Sequence, residues 1–318
     1  MVATWRWLST KPNGILAALT ALQRPGDEDA EKTPTLTELP AAIRGVVVVM
    51  ELTLVSGSAF LLLLSSSVFG AFARSLSDNN VVSCICEASA FGWGLLTFMS
   101  WFFQLPKREF ERRLTRFGWS GVTACLVSVL LHAGAVMSFT LWDEDQVLVT
   151  WKNVETAVRQ SDGSVATVEI IQNLLLAPMK EELFFRGVIV LMSINRLRSL
   201  KWSAWISSVL FAAIHLVNVR RIGSHYSMSY VALQVLWAWL VGLFLALKLA
   251  VSGSLVQCLT LHAINNMFAL GVSKTHAMDF TQPTVSCSVI IALAIYAVAI
   301  ARQLQILSNN NKAGLKDI

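Results

Sequence analysis

Two adjacent carboxylates stand in the middle of an apolar run. Glu181 and Glu182 belong to Ala177-Pro178-Met179-Lys180-Glu181-Glu182-Leu183-Phe184-Phe185-Arg186-Gly187, inside an apolar stretch spanning about 165–192. An ionised group near the centre of a membrane helix costs roughly 2.5–3.5 kcal/mol on insertion scales. Two carboxylates, a lysine and an arginine between positions 180 and 186 therefore need a reason to be there. Helical spacing gives part of it. Glu182 and Arg186 are four apart, share a face and can pair. Glu181 lies about 100° round the helix and has no such partner within the segment. One carboxylate reads as structurally paired and one as free to face a cavity. For the segment alone, an ion pair that steadies a buried helix is a competing account.

Further polar groups interrupt later apolar segments. One closes Phe211-Ala-Ala-Ile-His215, and another opens His262-Ala263-Ile264-Asn265-Asn266. On a helix His262 and Asn266 project from one face, with Asn265 beside it. A lone histidine in an apolar helix is more often a satisfied core residue than a functional one, and His132 keeps that reading. Glu87 is an apolar-segment carboxylate without an evident partner, and Glu51 is placed near the membrane interface. Gln234 is placed to hydrogen-bond between helices. The constellation shifts the balance for the others. Glu181, His215, His262 and Asn266 come from three segments, and one shared cavity would account for all of them. A carboxylate, two imidazoles and a carboxamide make a hydrolytic set, in which a base takes a proton from water and donors hold an oxyanion. Glutamate with histidine also suits zinc, for which Glu181, His215 and His262 would supply three ligands.

The elements that must position these groups follow from composition. Of 318 residues, 55% are hydrophobic and 14% charged, with mean hydropathy +0.59. Soluble domains carry about 25% charged residues, so the chain reads as an all-α polytopic membrane protein. Apolar segments at about 46–73, 81–105, 119–142, 166–193, 202–219, 228–250, 254–272 and 284–304 approach the ~17–25 residues a spanning helix needs. They predict about eight transmembrane helices around a polar intramembrane cavity. The divisions expected are an N-terminal tail over 1–45, a membrane domain over 46–305 with its motifs within 168–272, and a C-terminal tail over 306–318. The tail over 1–45 reads as disordered and cytosolic, with a transit peptide as the alternative. The polar linker at 143–165 suits the membrane surface.

Lys107, Arg108, Arg112, Arg113 and Arg116 share one loop, and Arg196, Arg198 and Lys201 another. The positive-inside rule puts both loops and both termini in the cytosol. Arg220 and Arg221 then fall on the far side, at a cavity mouth or in a re-entrant segment. The net charge of +5 is explained by this loop bias, so no nucleic-acid partner is expected and the lipid bilayer is the surrounding partner. Cys84, Cys86, Cys125, Cys258 and Cys287 are scattered through apolar segments and read as reduced, buried small residues.

Three ordered motifs carry a resemblance. Glu-Glu-x-x-x-Arg (Glu181, Glu182, Arg186), Phe-x-x-x-His (Phe211, His215) and His-x-x-x-Asn (His262, Asn266) fall on successive segments. Ala177-Pro178 precedes the first, Ser207-Ser208 the second and Gly253-Ser254-Leu255 the third. Over about 168–272 the chain resembles the CAAX protease and bacteriocin-processing (CPBP, or Abi) family, which includes the type II CAAX prenyl endopeptidases. The resemblance implies a multi-helix intramembrane endopeptidase. In it Glu181 and His215 activate the attacking water, His262 and Asn266 stabilise the oxyanion, and Glu182 and Arg186 form a structural or orienting pair. It implies a prenylated or membrane-associated polypeptide substrate, cut after a prenyl-cysteine with release of a C-terminal tripeptide. It also implies no metal or other cofactor, with zinc the alternative. The host expected is the endoplasmic reticulum membrane, with an organellar membrane as the alternative. Processing of another membrane-bound peptide is a second enzymatic reading. A non-catalytic scaffold and a transporter are the readings of a different class.

Overall fold

The computed structural model describes residues 41–76, 80–102, 119–137, 151–160, 162–190, 192–193, 197, 199–272 and 279–316. The tail over 1–40, the basic loop at 106–118, the acidic Asp143, Glu144 and Asp145, and the side chains of His132 and Cys125 lie outside the described residues. The described chain is helical, with no strand beyond two isolated bridges. Its helices are α1 (Ala41–Leu76), α2 (Asn80–Phe102), α3 (Trp119–Met137) and the short α4 (Trp151–Val158). The motif segment at 167–190, α5, runs on without a break but changes winding. It is α-helical over Thr167–Ile171, π-helical over Gln172–Leu176, α-helical over Ala177–Glu182 and π-helical over Leu183–Val190. Then come α6 (Leu200–Ile214) with a 3-10 extension His215–Arg221, α7 (Met228–Ser252), α8 (Leu255–Ala269) and α9 (Pro283–Lys316).

Each of the eight apolar segments is helical over most of its length. Among the described residues, five helices are long and apolar enough to cross a membrane: Gly45–Leu76, Asn80–Trp101, Leu200–Arg221, Met228–Ser252 and Pro283–Asn309. The chain is thus an all-α polytopic membrane protein. The motif-bearing α5 and α8 fall outside these five. α5 carries four charges in its middle, and α8 has only 15 residues. Both gain their stability as inner elements of the bundle. α5 packs against α1, α2, α6, α7 and α8. Large apolar side chains such as Leu54, Phe60, Val68 and Phe72 of α1 point outward and stay exposed, as lipid-facing residues must.

The chain reverses by local rules. Gly253 takes a left-handed φ of +64° and its N–H reaches Leu249 O at 2.7 Å, ending α7. Ser254 then caps α8 by accepting from Gln257 N. A glycine stop followed by a serine start turns the chain in two residues. Ser199 and Ser227 cap α6 and α7 in the same way. Asn153 of α4 donates to Gly271 O at 3.0 Å, tying this short helix to the end of α8.

Small residues let the inner helices meet. Ser203, Ala204, Ser207, Ser208 and Ala212 form the buried face of α6, a small-residue seam of the kind that packs membrane helices closely. Opposite it stands Gly242 of α7. A Cβ there would meet Phe211 Cδ1 at 3.1 Å and Ser208 Cα at 3.3 Å. The Ser208 backbone cannot swing aside, so Gly242→Ala must push α6 from α7. An overpacked core change of this kind costs about 1–3 kcal/mol. The expected result is a lower melting temperature in detergent, and an unchanged one would mean that this crossing has slack.

Several sequence expectations change here. Glu87 has partners. It pairs with Lys180 of α5, with both side chains under one-fifth exposed, and Ser67 of α1 donates to it at 3.1 Å. Gly70 makes room for that carboxylate, which sits 2.9 Å from where a Cβ would be. Glu51 is buried at 1% exposure, because α1 begins early enough to carry it inside. Cys84 and Cys258 are buried, whereas Cys86 and Cys287 are exposed on outward faces of α2 and α9. Gln234 accepts from Asn218 Nδ2 at 2.8 Å, joining α7 to the 3-10 turn as an intramembrane amide does. Arg220 and Arg221 are exposed at the end of that turn, where cations complement the helix carbonyls.

Candidate active site

α5 supplies the acidic pair, and Pro178 explains its first change of winding. Proline has no N–H and its ring crowds the carbonyl four residues back. The turns before it open to π geometry, and Ala177 N–H reaches back five residues to Gln172 O. π-turns inside α-helices are frequent at functional sites.

Glu182 and Arg186 are fully buried, at 0% exposure each. Arg186 Nη1 lies 3.1 Å from Glu182 Oε1, and Nη2 donates to Gly242 O at 3.3 Å. The guanidinium carbon sits 4.6 Å from the centroid of the Phe211 ring, a cation–π distance. The same Glu182 Oε1 is 2.7 Å from His262 Nδ1 of α8. A carboxylate accepts, so Nδ1 carries the proton and Nε2 of a neutral ring carries the lone pair. That Nε2 lies 3.6 Å from Glu181 Oε2. Arg186, Glu182, His262 and Glu181 thus form one line. It runs from the protein interior to a carboxylate whose side chain is 29% exposed.

His215 begins the 3-10 turn after α6. Its Nδ1–H donates to Phe211 O at 2.9 Å, which leaves Nε2 as the acceptor in the neutral ring. No direct contact joins His215 to Glu181 among the described residues; the imidazole that Glu181 meets is His262. Phe211 links the two histidines, with its ring 5.2 Å from His215 and 5.5 Å from His262, edge to face in both cases. Asn266 Nδ2 donates to Asn173 O of α5 at 3.0 Å. Its neighbour Asn265 accepts from Trp237 Nε1 at 3.0 Å and donates to Asn266 Oδ1 at 3.3 Å. His215, His262, Asn265 and Asn266 border a cavity of about 140 Å³, whose remaining wall is largely apolar and includes Leu233, Trp237, Val241 and Phe268. Glu181 is not part of that wall and reaches it through His262.

Residues 163–268 match the family model described as type II CAAX prenyl endopeptidase Rce1-like. The segment is an Rce1-like domain. This bears out the family read from the three motifs. No curated protein and no solved structure matches the chain. The Rce1-like domain takes in α5 to α8 and with them every site residue from Glu181 to Asn266.

Within the Rce1-like domain, the four residues singled out as catalytic do not form one contact cluster. Glu181 and His262 approach each other, His215 joins through Phe211, and Asn266 is held by α5. Among the described residues, no group of three or more His, Cys, Asp and Glu side chains is placed to hold a metal ion, so Glu181, His215 and His262 do not make a ready zinc site. Sequence reasoning treated Phe211 as a motif marker. The structure makes it the buried ring against which Arg186, Phe185 and both histidines pack. Nothing in the sequence singles out Trp237. The only sequence signal for Asn265 was its place beside Asn266.

Proposed function

We propose that this protein is an intramembrane endopeptidase of the CAAX type, with Glu181 as its general base and a prenylated polypeptide as its substrate. The observation that carries the reading is the Arg186–Glu182–His262–Glu181 line. Its His262 borders a cavity that His215, Asn265 and Asn266 also line, within an Rce1-like domain. Glu181 Oε2 and His262 Nε2 face each other as acceptors, 3.6 Å apart. A water donating to both keeps its lone pairs free for a carbonyl carbon. As its oxygen bonds to that carbon, the carbonyl π pair moves onto oxygen and Glu181 takes the water proton. Passing the proton on to His262 Nε2 makes that nitrogen a donor, which with Asn266 holds the oxyanion. Collapse re-forms the carbonyl and breaks the C–N bond, and the stored proton goes to the leaving amine. His215 Nε2, bordering the same cavity, is an acceptor for a second water or for the nucleophile itself. Glu182 and Arg186 act from behind, fixing which nitrogen of His262 carries the proton.

The apolar wall beside these polar groups suits a substrate that joins a hydrocarbon chain to a peptide bond. A prenyl-cysteine near a C-terminus has that form, and release of the terminal tripeptide is the proposed reaction. The proposed chemistry needs no metal, and the proposed host is the endoplasmic reticulum membrane. Purified protein in detergent is expected to release the tripeptide from a farnesylated CAAX peptide, with full activity after treatment with a strong chelator. Equal cleavage of the unprenylated peptide would move the substrate to another class of membrane peptide. Activity lost with bound zinc and regained on its return would make ligands of Glu181, His215 and His262.

A further inference from the structure

We infer that Asn265 and Trp237 are positioning residues that fix the direction of the Asn266 amide, through a hydrogen-bond chain ending on a carbonyl orphaned by Pro178. The inference rests on the proposed role of Asn266 as an oxyanion donor. The chain runs from Trp237 Nε1 to Asn265 Oδ1 at 3.0 Å, from Asn265 Nδ2 to Asn266 Oδ1 at 3.3 Å, and from Asn266 Nδ2 to Asn173 O at 3.0 Å. Its polarity is set at both ends by chemistry. An indole N–H only donates and a backbone carbonyl only accepts. Asn265 must present oxygen to Trp237, so its NH₂ turns to Asn266. Asn266 must then present oxygen to Asn265 and NH₂ to Asn173. Neither amide can flip without setting two donors or two acceptors against each other.

The Asn173 carbonyl is open for this role because of the sequence that follows it. In an α-turn its donor would be Ala177 N–H, which bonds Gln172 O instead. In a π-turn its donor would be residue 178, a proline with no N–H. The Ala177-Pro178 pair that begins the acidic motif therefore creates the acceptor that anchors the asparagine of the last motif. At the other end Trp237 is braced by Tyr296 of α9, edge to face at 4.9 Å, and Tyr296 is 3% exposed. One N–H of Asn266 is spent on Asn173 O, and the second has no partner among the described residues. Asn265 and Asn266 both border the cavity. The chain thus leaves a single donor of defined direction at the place where an oxyanion would form.

The test is a double-mutant cycle on cleavage of a farnesylated CAAX peptide, with Asn265→Leu, Trp237→Phe, Asn266→Ala and the combinations with Asn266→Ala. Detergent melting curves accompany each variant, and Glu181→Gln is run alongside. Asn265→Leu is expected to lower kcat on the order of tenfold to a hundredfold with KM little changed, short of the about 10²–10³-fold loss of the donor itself. Asn265→Gln should recover part of that loss. Added to Asn266→Ala, either Asn265→Leu or Trp237→Phe should cause no further drop in kcat, which a merely structural role would not produce. Trp237→Phe keeps the aromatic packing and tests the chain if Asn265→Leu melts early. Losses that multiply in the Asn266→Ala background, or an Asn266→Ala protein with unchanged kcat, overturn the inference and leave the glutamate mechanism standing. A wild type that cleaves no peptide, or a Glu181→Gln variant as active as wild type, overturns the proposed function and this inference with it.

Discussion

Arg186→Ala is expected to destabilise the protein by about 3–5 kcal/mol, the range for leaving one member of a buried ion pair behind. Glu182 is fully buried, and its Oε2 already lacks a hydrogen-bond partner among the described residues. The substitution also removes the donor to Gly242 O and the cation over Phe211. Three helices lose a shared point, because Arg186 lies on α5, Phe211 on α6 and Gly242 on α7. The result should be lower yield, a lower melting temperature in detergent and loss of activity together. Arg186→Lys should rescue poorly, since an ammonium lacks the planar fork that reaches a carboxylate and a carbonyl while lying on a ring. A well-folded, fully stable and inactive Arg186→Ala protein would instead assign the guanidinium to the chemistry.

Glu181→Gln should do the opposite, abolishing peptide release while leaving the fold intact. Its side chain is 29% exposed where that of Glu182 is 1%, so the change strands no buried charge. The amide keeps the shape and loses the base. A general base contributes about 10²–10⁴-fold, and a loss of roughly a thousandfold or more is expected, with the melting temperature nearly unchanged. His215→Ala should be similarly inactive. If His215 Nε2 holds the same nucleophilic water as Glu181, the double variant should be little worse than either, because residues that act as one unit are non-additive; losses that multiply would give His215 a separate water. A Glu181→Gln protein that melts well below wild type would place Glu181 in the structural framework with Glu182.

The Glu182–Arg186 pair was legible in the sequence because it is local, and four-residue spacing on a helix fixes the face without further information. The three motifs were legible in the same way, as short periodic patterns. Contacts across the bundle were not. Glu182 Oε1 is shared between Arg186 and a histidine 80 positions away, and that depends on which helices are neighbours. Glu87 looked solitary for the same reason, since Lys180 is 93 positions from it. Which imidazole lies beside Glu181 was not legible either, because it depends on helix order and winding. α8 brings His262 to α5, whereas His215 falls in a 3-10 turn at the end of α6 with its Nδ1 tied to Phe211. Composition marked α5 and α8 as spans by apolar content alone. The four charges of one and the Gly253-Ser254 start of the other make them inner elements held by packing. Cys86 and Cys287 were misplaced because a small apolar residue suits a lipid-facing surface as well as a helix contact, and hydropathy does not distinguish the two.

Where the peptide is cut, and by whose carboxylate, decides whether Glu181 is the base of a CAAX-type cleavage. Wild-type protein and Glu181→Gln, purified in parallel and matched in melting temperature, are given the same farnesylated CAAX peptide, and the products are weighed by mass spectrometry. Wild type is expected to give an intact tripeptide and a fragment ending in farnesyl-cysteine, and Glu181→Gln to leave the peptide uncleaved. The same two products from both proteins at similar rates, or no cleavage by wild type, would contradict this reading.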